Sequence, residues 1–124
     1  ASRKLAPGVV AFHPGATLWL QVPFDVGNST PRLSLLYLRS YAHMGRAQAT
    51  CAGACSCDRE IIDAHYVSTT RNASTVEART FSAKRIPSTS PGDASTCILR
   101  LEVTADSASG EHKFKAFGVN VWYP

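Results

Sequence analysis

Charge is scarce in this chain. Asp, Glu, Lys and Arg make up 18% of its 124 residues, below the quarter or so usual in globular domains. The bases are scattered: nine Arg and four Lys, with the densest local sets at Arg3-Lys4, Lys84-Arg85 and Lys113 with Lys115. Nucleic-acid recognition needs basic side chains gathered on one face, so no nucleic-acid partner is expected. The net charge of +4 gives a mildly basic surface, with a weak pull on acidic polysaccharide through single Arg–carboxylate pairs. Long apolar runs are missing too. Nothing approaches the ~18 apolar residues of a membrane-spanning helix, and no window shows an apolar stripe at a spacing of about 3.6 residues. The Gly-x-Ser-x-Gly elbow of serine hydrolases and the paired Cys-x-x-Cys knuckles of structural zinc are absent. The chain opens Ala-Ser-Arg-Lys without a basic, apolar leader. If the protein is secreted, the expectation is therefore a processed chain or a module of a longer protein, residues 1–124 forming one domain.

Ser, Thr and Ala are abundant, as are residues that turn the chain. A domain of this length buries roughly two-thirds of its unfolded surface, enough for one core. The four cysteines, Cys51, Cys55, Cys57 and Cys97, are an even number in a short chain. Two sequons, at Asn28-Ser29-Thr30 and Asn72-Ala73-Ser74, lie in turn-like contexts, as N-glycan acceptors must. Together these features point to an oxidising, secreted or cell-surface destination.

Apolar residues recur at every second position. Val9 to Phe12 is a short apolar run closed by Pro14-Gly15, and Thr17 to Phe24 sets Leu18, Leu20 and Val22 on one face. Arg32 to Ser40 is apolar on both faces, Leu33, Leu35 and Tyr37 against Leu36 and Leu38, which predicts a central strand covered on both sides. Arg46 to Cys51 and Glu60 to Val67 follow as strands. Thr75 to Ile86 has a weak apolar face and is expected at an edge or half exposed. Thr96 to Val103 alternates cleanly, with Cys97, Leu99, Leu101 and Val103 inward. In Lys113 to Trp122 the inward parity slips near Gly118, as at a β-bulge. About eight short strands separated by turn chemistry predict an all-β fold: an antiparallel two-sheet sandwich, jelly-roll-like and disulfide-stapled, with less than about a tenth helix.

The cluster Cys51-Ala-Gly-Ala-Cys55-Ser-Cys57 is the most specific local feature. A zinc site would recruit Cys51, Cys55 and Cys57 with His65 or Cys97, but the spacing argues for disulfides and no metal. A Cys55–Cys57 bridge would close a tiny strained ring. Two pairings remain, Cys51–Cys57 with Cys55–Cys97 or Cys51–Cys55 with Cys57–Cys97. The first is favoured because Cys51 and Cys57 can face each other across a hairpin mouth. Neither a catalytic constellation nor a cofactor is implied. Asp63 and His65 share one strand face but read as an exposed surface, and His13, His43 and His112 lie beside turns. Aromatic rings at strand ends can stack on the apolar face of a pyranose. Tyr41, Tyr66, Trp122 and Tyr123 are placed for that, whereas Trp19 and Tyr37 are expected in the core. The ligand-binding candidates are Tyr41, His43, Arg46, His65 and Tyr66.

The segment Tyr37-Leu-Arg-Ser-Tyr-Ala-His-Met-Gly-Arg-Ala47 with the cysteine cluster after it, and the ending Ser109-Gly-Glu-His-Lys-Phe-Lys115, resemble the C-terminal β-rich region of secreted plant and green-algal proteins that also carry a GDSL-like (SGNH) hydrolase domain. The resemblance covers residues 16–122. That family's Gly-Asp-Ser-Leu block and distant Asp-x-x-His are absent here, so no catalytic role transfers. What the resemblance implies is an accessory domain of an extracellular glycoprotein.

Two functional expectations follow. One is a non-catalytic module that holds an extracellular glycan near Tyr41–Arg46 and His65-Tyr66. The other is a self-associating subunit of a fibre or coat. In that case the segment from Ala1 to Ala6 and the run after it dock on a sheet edge, in the same chain or a neighbour, as an added strand. Protein from its native host should lose mass on enzymatic release of N-glycans, with Asn72 the principal site and Asn28 a lesser one. An unchanged mass would leave the cysteines alone to argue the compartment.

Overall fold

Successive side chains of a strand point to opposite faces, so a chain that alternates apolar and polar residues must stack two sheets to hide the apolar faces. The computed structural model describes residues 8–23, 31–67, 74–86 and 96–122. Among these residues every regular element is a strand: β1 (Val9–Ala11), β2 (Thr17–Pro23), β3 (Arg32–Arg39), β4 (Arg46–Gly53), β5 (Cys55–Ser56), β6 (Glu60–Asp63), β7 (Thr75–Ser82), β8 (Lys84–Arg85), β9 (Thr96–Val103) and β10 (Phe114–Trp122). Two antiparallel four-stranded sheets have the orders β1-β10-β3-β7 and β2-β9-β4-β6, and β5 pairs with β8 as a small ribbon. With the ribbon set aside, the eight remaining strands run first-eighth-third-sixth and second-seventh-fourth-fifth. That is the jelly-roll order. The N-terminal segment before residue 8, both sequon asparagines and Tyr123 lie outside the described residues.

Jelly-roll winding sends four connections from one sheet to the other at a single end of the sandwich: β1–β2, β3–β4, β6–β7 and β9–β10. We call this the crossover end. Between the sheets, one cluster gathers Leu18 and Val22 of β2, Leu33, Leu35 and Tyr37 of β3, Ala47 and Ala49 of β4, and Ile62 of β6. Phe81 of β7, Cys97, Leu99, Leu101 and Val103 of β9, and Phe114 and Ala116 of β10 belong to it as well. Each fully buried Leu, Val or Phe contributes roughly 1.5–3 kcal/mol. The rings of Tyr37 and Phe114 stack with centroids 5.9 Å apart, and burial pushes the Tyr37 phenol above its ordinary pKa. The register of β10 against β3 shifts between Ala116 and Gly118, the bulge that the parity slip predicts. It lets Val119 and Val121 face the core after Phe114 and Ala116.

Four expectations need correction. Trp19 is not in the core. It is 58% exposed, because Leu18 and Val22 on β2 take the inner face and leave it the outer one. The second face of β3 is not covered; Leu36 and Leu38 there are only half-buried. The strand expected over residues 60–67 ends at Asp63, and His65 keeps only an isolated bridge to Ser40. The strand expected over residues 75–86 breaks after Ser82 into β7 and β8. β7 does lie at a sheet edge, and its inner positions are Glu77, Arg79 and the buried Phe81. Arg79 donates from Nε and Nη2 to Glu60 Oε1 on β6 at 3.1 and 2.6 Å. A charge pair thus closes the open side of the sandwich between the two sheets.

The end opposite the crossovers is fastened covalently. Cys51 pairs with Cys57 and Cys55 with Cys97, the favoured pairing, and no free cysteine remains among the described residues. All the thiolates that a zinc centre would require are consumed. Gly53 sits at φ +76°, and a Cβ there would lie 2.7 Å from the Thr96 carbonyl oxygen. Glycine is needed where β4 turns towards the buried Cys55. Cys55–Cys97 joins residues 42 apart and Cys51–Cys57 residues 6 apart. Chain entropy then assigns about 4 kcal/mol to the first bridge and about 2 kcal/mol to the second. Urea unfolding should show the larger fall in midpoint for Cys55→Ala with Cys97→Ala, and the smaller for Cys51→Ala with Cys57→Ala. Equal falls would contradict this ranking.

Candidate functional site

The β3–β4 and β9–β10 loops are knitted together at the crossover end. Gly45 N donates to the Lys113 carbonyl at 2.8 Å, Lys113 N to the His43 carbonyl at 3.0 Å, and Ser109 Oγ to the Met44 carbonyl at 2.6 Å. A Cβ on Gly45 would lie 2.7 Å from His112 Cα, so only glycine lets the two loops close. The two distinctive segments of the sequence, Tyr37–Ala47 and Ser109–Lys115, are therefore one structural unit. His43 adopts φ +69°, a left-handed conformation uncommon outside glycine. In it Nδ1 lies 2.6 Å from Glu111 Oε2.

The β6–β7 link lies alongside. Ser40 N donates to the Ala64 carbonyl at 2.9 Å, and Tyr66 N to the Ser40 carbonyl at 3.1 Å. Ser40, the buried polar residue here, has its Oγ 2.8 Å from Ser74 Oγ. The Arg39 guanidinium sits 5.6 Å from the centre of the Tyr66 ring. The fourth crossover, β1–β2, is held by Gly15 N donating to the Val103 carbonyl at 2.8 Å.

All four histidines of the chain, His13, His43, His65 and His112, fall on these four connections, one on each. Two exposed rings accompany them, Phe12 at 55% and Tyr41 at 43%. Phe12, His43, Gly110, Glu111, His112 and Lys113 line a cleft of about 550 Å³. Among the described residues, the buried side-chain atoms without a hydrogen-bond partner are Arg39 Nε, His65 Nδ1, Ser107 Oγ and His112 Nδ1, and every one is at this end. Hydrogen-bonding capacity left over in a folded protein calls for a specific explanation, and here it is concentrated at the crossover end, with His112 among the residues that line the cleft.

Of the residues singled out from sequence, Tyr41, His43 and His65 gather here, with Tyr66 beside them. Arg46 is close but occupied. Its Nε donates to Asp63 Oδ2 at 3.0 Å and its Nη1 to Asp106 Oδ2 at 2.7 Å, which ties β4 to β6 and to the β9–β10 loop. Asp63 Oδ1 in turn accepts the His65 main-chain N–H at 3.0 Å, so this carboxylate serves the backbone of His65. Sequence reasoning missed Phe12, Glu111 and Lys113. Phe12 signalled itself only by position beside a turn, and Glu111 and Lys113 only by their place in the distinctive Ser109–Lys115 segment, signals that become meaningful once the topology brings the turns together. Comparison with protein-family models, with curated proteins and with solved structures found no match to this chain.

The Thr104 hydroxyl, followed by the Arg46 guanidinium and the main-chain amide of Asp106, holds the Asp106 carboxyl below its ordinary pKa. A depressed folded-state pKa stabilises the fold above the unfolded carboxylate value, and that contribution fades as pH falls through the folded one. Carboxyl-carbon NMR should find Asp106 titrating below the ordinary value of about 3.9, and climbing towards it in Thr104→Val and in Arg46→Met. An Asp106 titration indifferent to both substitutions would remove the clamp from this account.

Proposed function

We propose that this domain is a non-catalytic carbohydrate-binding or accessory module of a secreted or cell-surface glycoprotein, and that the crossover end is its binding surface. The observation that carries the reading is the coincidence, at one end, of exposed aromatic rings, a cleft, a histidine from each crossover, and every buried side-chain atom with unused hydrogen-bonding capacity among the described residues. A sugar offers an apolar C–H face and a rim of hydroxyls. Phe12 and Tyr41 suit the first, and His43, His112, Glu111 and Lys113 the second. A few convergent polar groups around an apolar wall are what small-ligand sites present. Glu111 pairs with His43, which orients both towards the cleft, while Asp63 and Asp106 serve structure by pairing with Arg46. The disulfides suit an oxidising compartment, and the resemblance to accessory regions of extracellular glycoproteins agrees with this role.

A second reading, a self-associating structural subunit, draws on one observation. The outer face of β1-β10-β3-β7 sets Leu36 opposite Ala78 and Leu38 opposite Val76, and Val76 is 45% exposed, a small apolar band suited to contact with another chain. A glycan array separates the two. Selective binding that weakens roughly tenfold, or ~1.4 kcal/mol, in Phe12→Ala and in Tyr41→Ala is the expected result. A blank array with an apparent mass that grows with concentration on a sizing column would replace the module with the subunit.

A further inference from the structure

A second surface lies on the outward face of the sheet β2-β9-β4-β6. Strand pairing sets rows across it: Thr17 beside Glu102 and Gln48, Trp19 beside Arg100 and Thr50, and Gln21 beside Ile98. The neighbours of these residues along each strand, Leu18, Val22, Ala47, Ala49, Leu99 and Leu101, are buried, so parity turns the rows outward. Trp19 stands in mid-strand with 58% of its surface exposed. Its ring is nevertheless held. The Arg100 guanidinium lies 5.4 Å from the ring centre, and Arg100 Nη2 is 3.6 Å from Glu102 Oε2. An indole oriented by its neighbours before a ligand arrives loses little freedom on binding.

The face also leads somewhere. Gln48 and Glu102, in the row beside Trp19, form one wall of a cleft of about 320 Å³ whose other lining includes Pro14, Gly15 and Thr104. From Gln21 to Thr17 the strand covers roughly 14 Å, and the cleft continues past Thr17 towards the crossover end. Platform and cleft make a track that is open at one end, at Trp19, and recessed at the other.

The geometry points to an extended, neutral, β-linked polysaccharide as the ligand of this track. Trp19 stacks on the apolar face of one pyranose, while Gln21, Gln48, Thr50 and Glu102 exchange hydrogen bonds with the hydroxyls of its neighbours. An open platform fits a ribbon-like chain better than a chain end, which needs enclosing walls. The charges of Arg100 and Glu102 offset each other, and Glu102 would repel a uronate. This inference rests on the glycan-binding reading, but it names another face and a ligand class.

The test is depletion of the domain from solution by swollen cellulose, with soluble polygalacturonate as the acidic comparison. Wild type and the surface control Val76→Ser should be retained on cellulose. Trp19→Ala should lose at least about tenfold in affinity, or ~1.4 kcal/mol, and Trp19→Phe should recover part of that loss. Thermal melting of Trp19→Ala should match wild type, since the side chain is exposed. Equal retention of Trp19→Ala and wild type overturns the inference. So does binding to polygalacturonate alone with loss in Phe12→Ala, which leaves the crossover-end reading standing. No retention on cellulose together with a blank glycan array overturns both.

Discussion

The burial in one cluster of alternate residues from β3 and β9 is the contact on which the rest of this domain depends. Leu33, Leu35 and Tyr37 come from one sheet and Cys97, Leu99, Leu101 and Val103 from the other, and each strand is hydrogen-bonded on both sides. Once these two are placed, period-two geometry leaves the flanking strands no choice of face, since a one-residue slip would turn every apolar side chain outward. The crossover end follows from the same constraint. With the ribbon set aside, consecutive strands lie in opposite sheets at six places; four of those connections, β1–β2, β3–β4, β6–β7 and β9–β10, pass over one end, and they carry the histidines with them.

Much of this was legible in the sequence, and the failures have identifiable causes. Alternation placed β9 and its inward residues, the parity slip located the bulge near Gly118, and the cysteine spacing left two disulfide pairings, of which the hairpin argument favoured the one observed. Trp19 was misread because a large aromatic usually signals the core, yet strand parity with Leu18 and Val22 overrides side-chain preference. The weak apolar face of β7 did signal its edge position, and it has a cause: Glu77 and Arg79 occupy inner positions, where the edge location leaves room for a charge pair. The site was half legible. Tyr41, His43 and His65 announced themselves as polar or aromatic residues beside turns. Phe12 looked no different from any other turn-flanking residue, and Glu111 and Lys113 sat in a distinctive segment that named no role, because their meaning lies in which turns become neighbours, and that is a property of topology.

The two faces argued to meet ligands differ in kind. The crossover end is made of loops held by main-chain hydrogen bonds and by the Arg46 clamp. The Trp19 face is carried on strands, where positions are fixed by ladder pairing. Loops adapt and strands hold still. The fastening is likewise divided: two disulfides pin one end of the sandwich, while hydrogen bonds and ion pairs assemble the other.

The charge pair between Arg79 and Glu60 has a consequence for the company this domain keeps. An eight-residue edge strand such as β7 is a ready template for strand addition, the first step towards insoluble aggregates. Another chain adding to it in register would continue both faces of the sheet and set its own side chains beside Glu77 and Arg79. An ionic pair already satisfied within the fold would then be drawn away from solvent, at a desolvation cost that apolar edges do not carry. At the other edge of the same sheet, β1 spans three of the described residues. The β7 margin of the sheet β1-β10-β3-β7 is thus guarded by charge: a chain that adds there must bury an ion pair to do so.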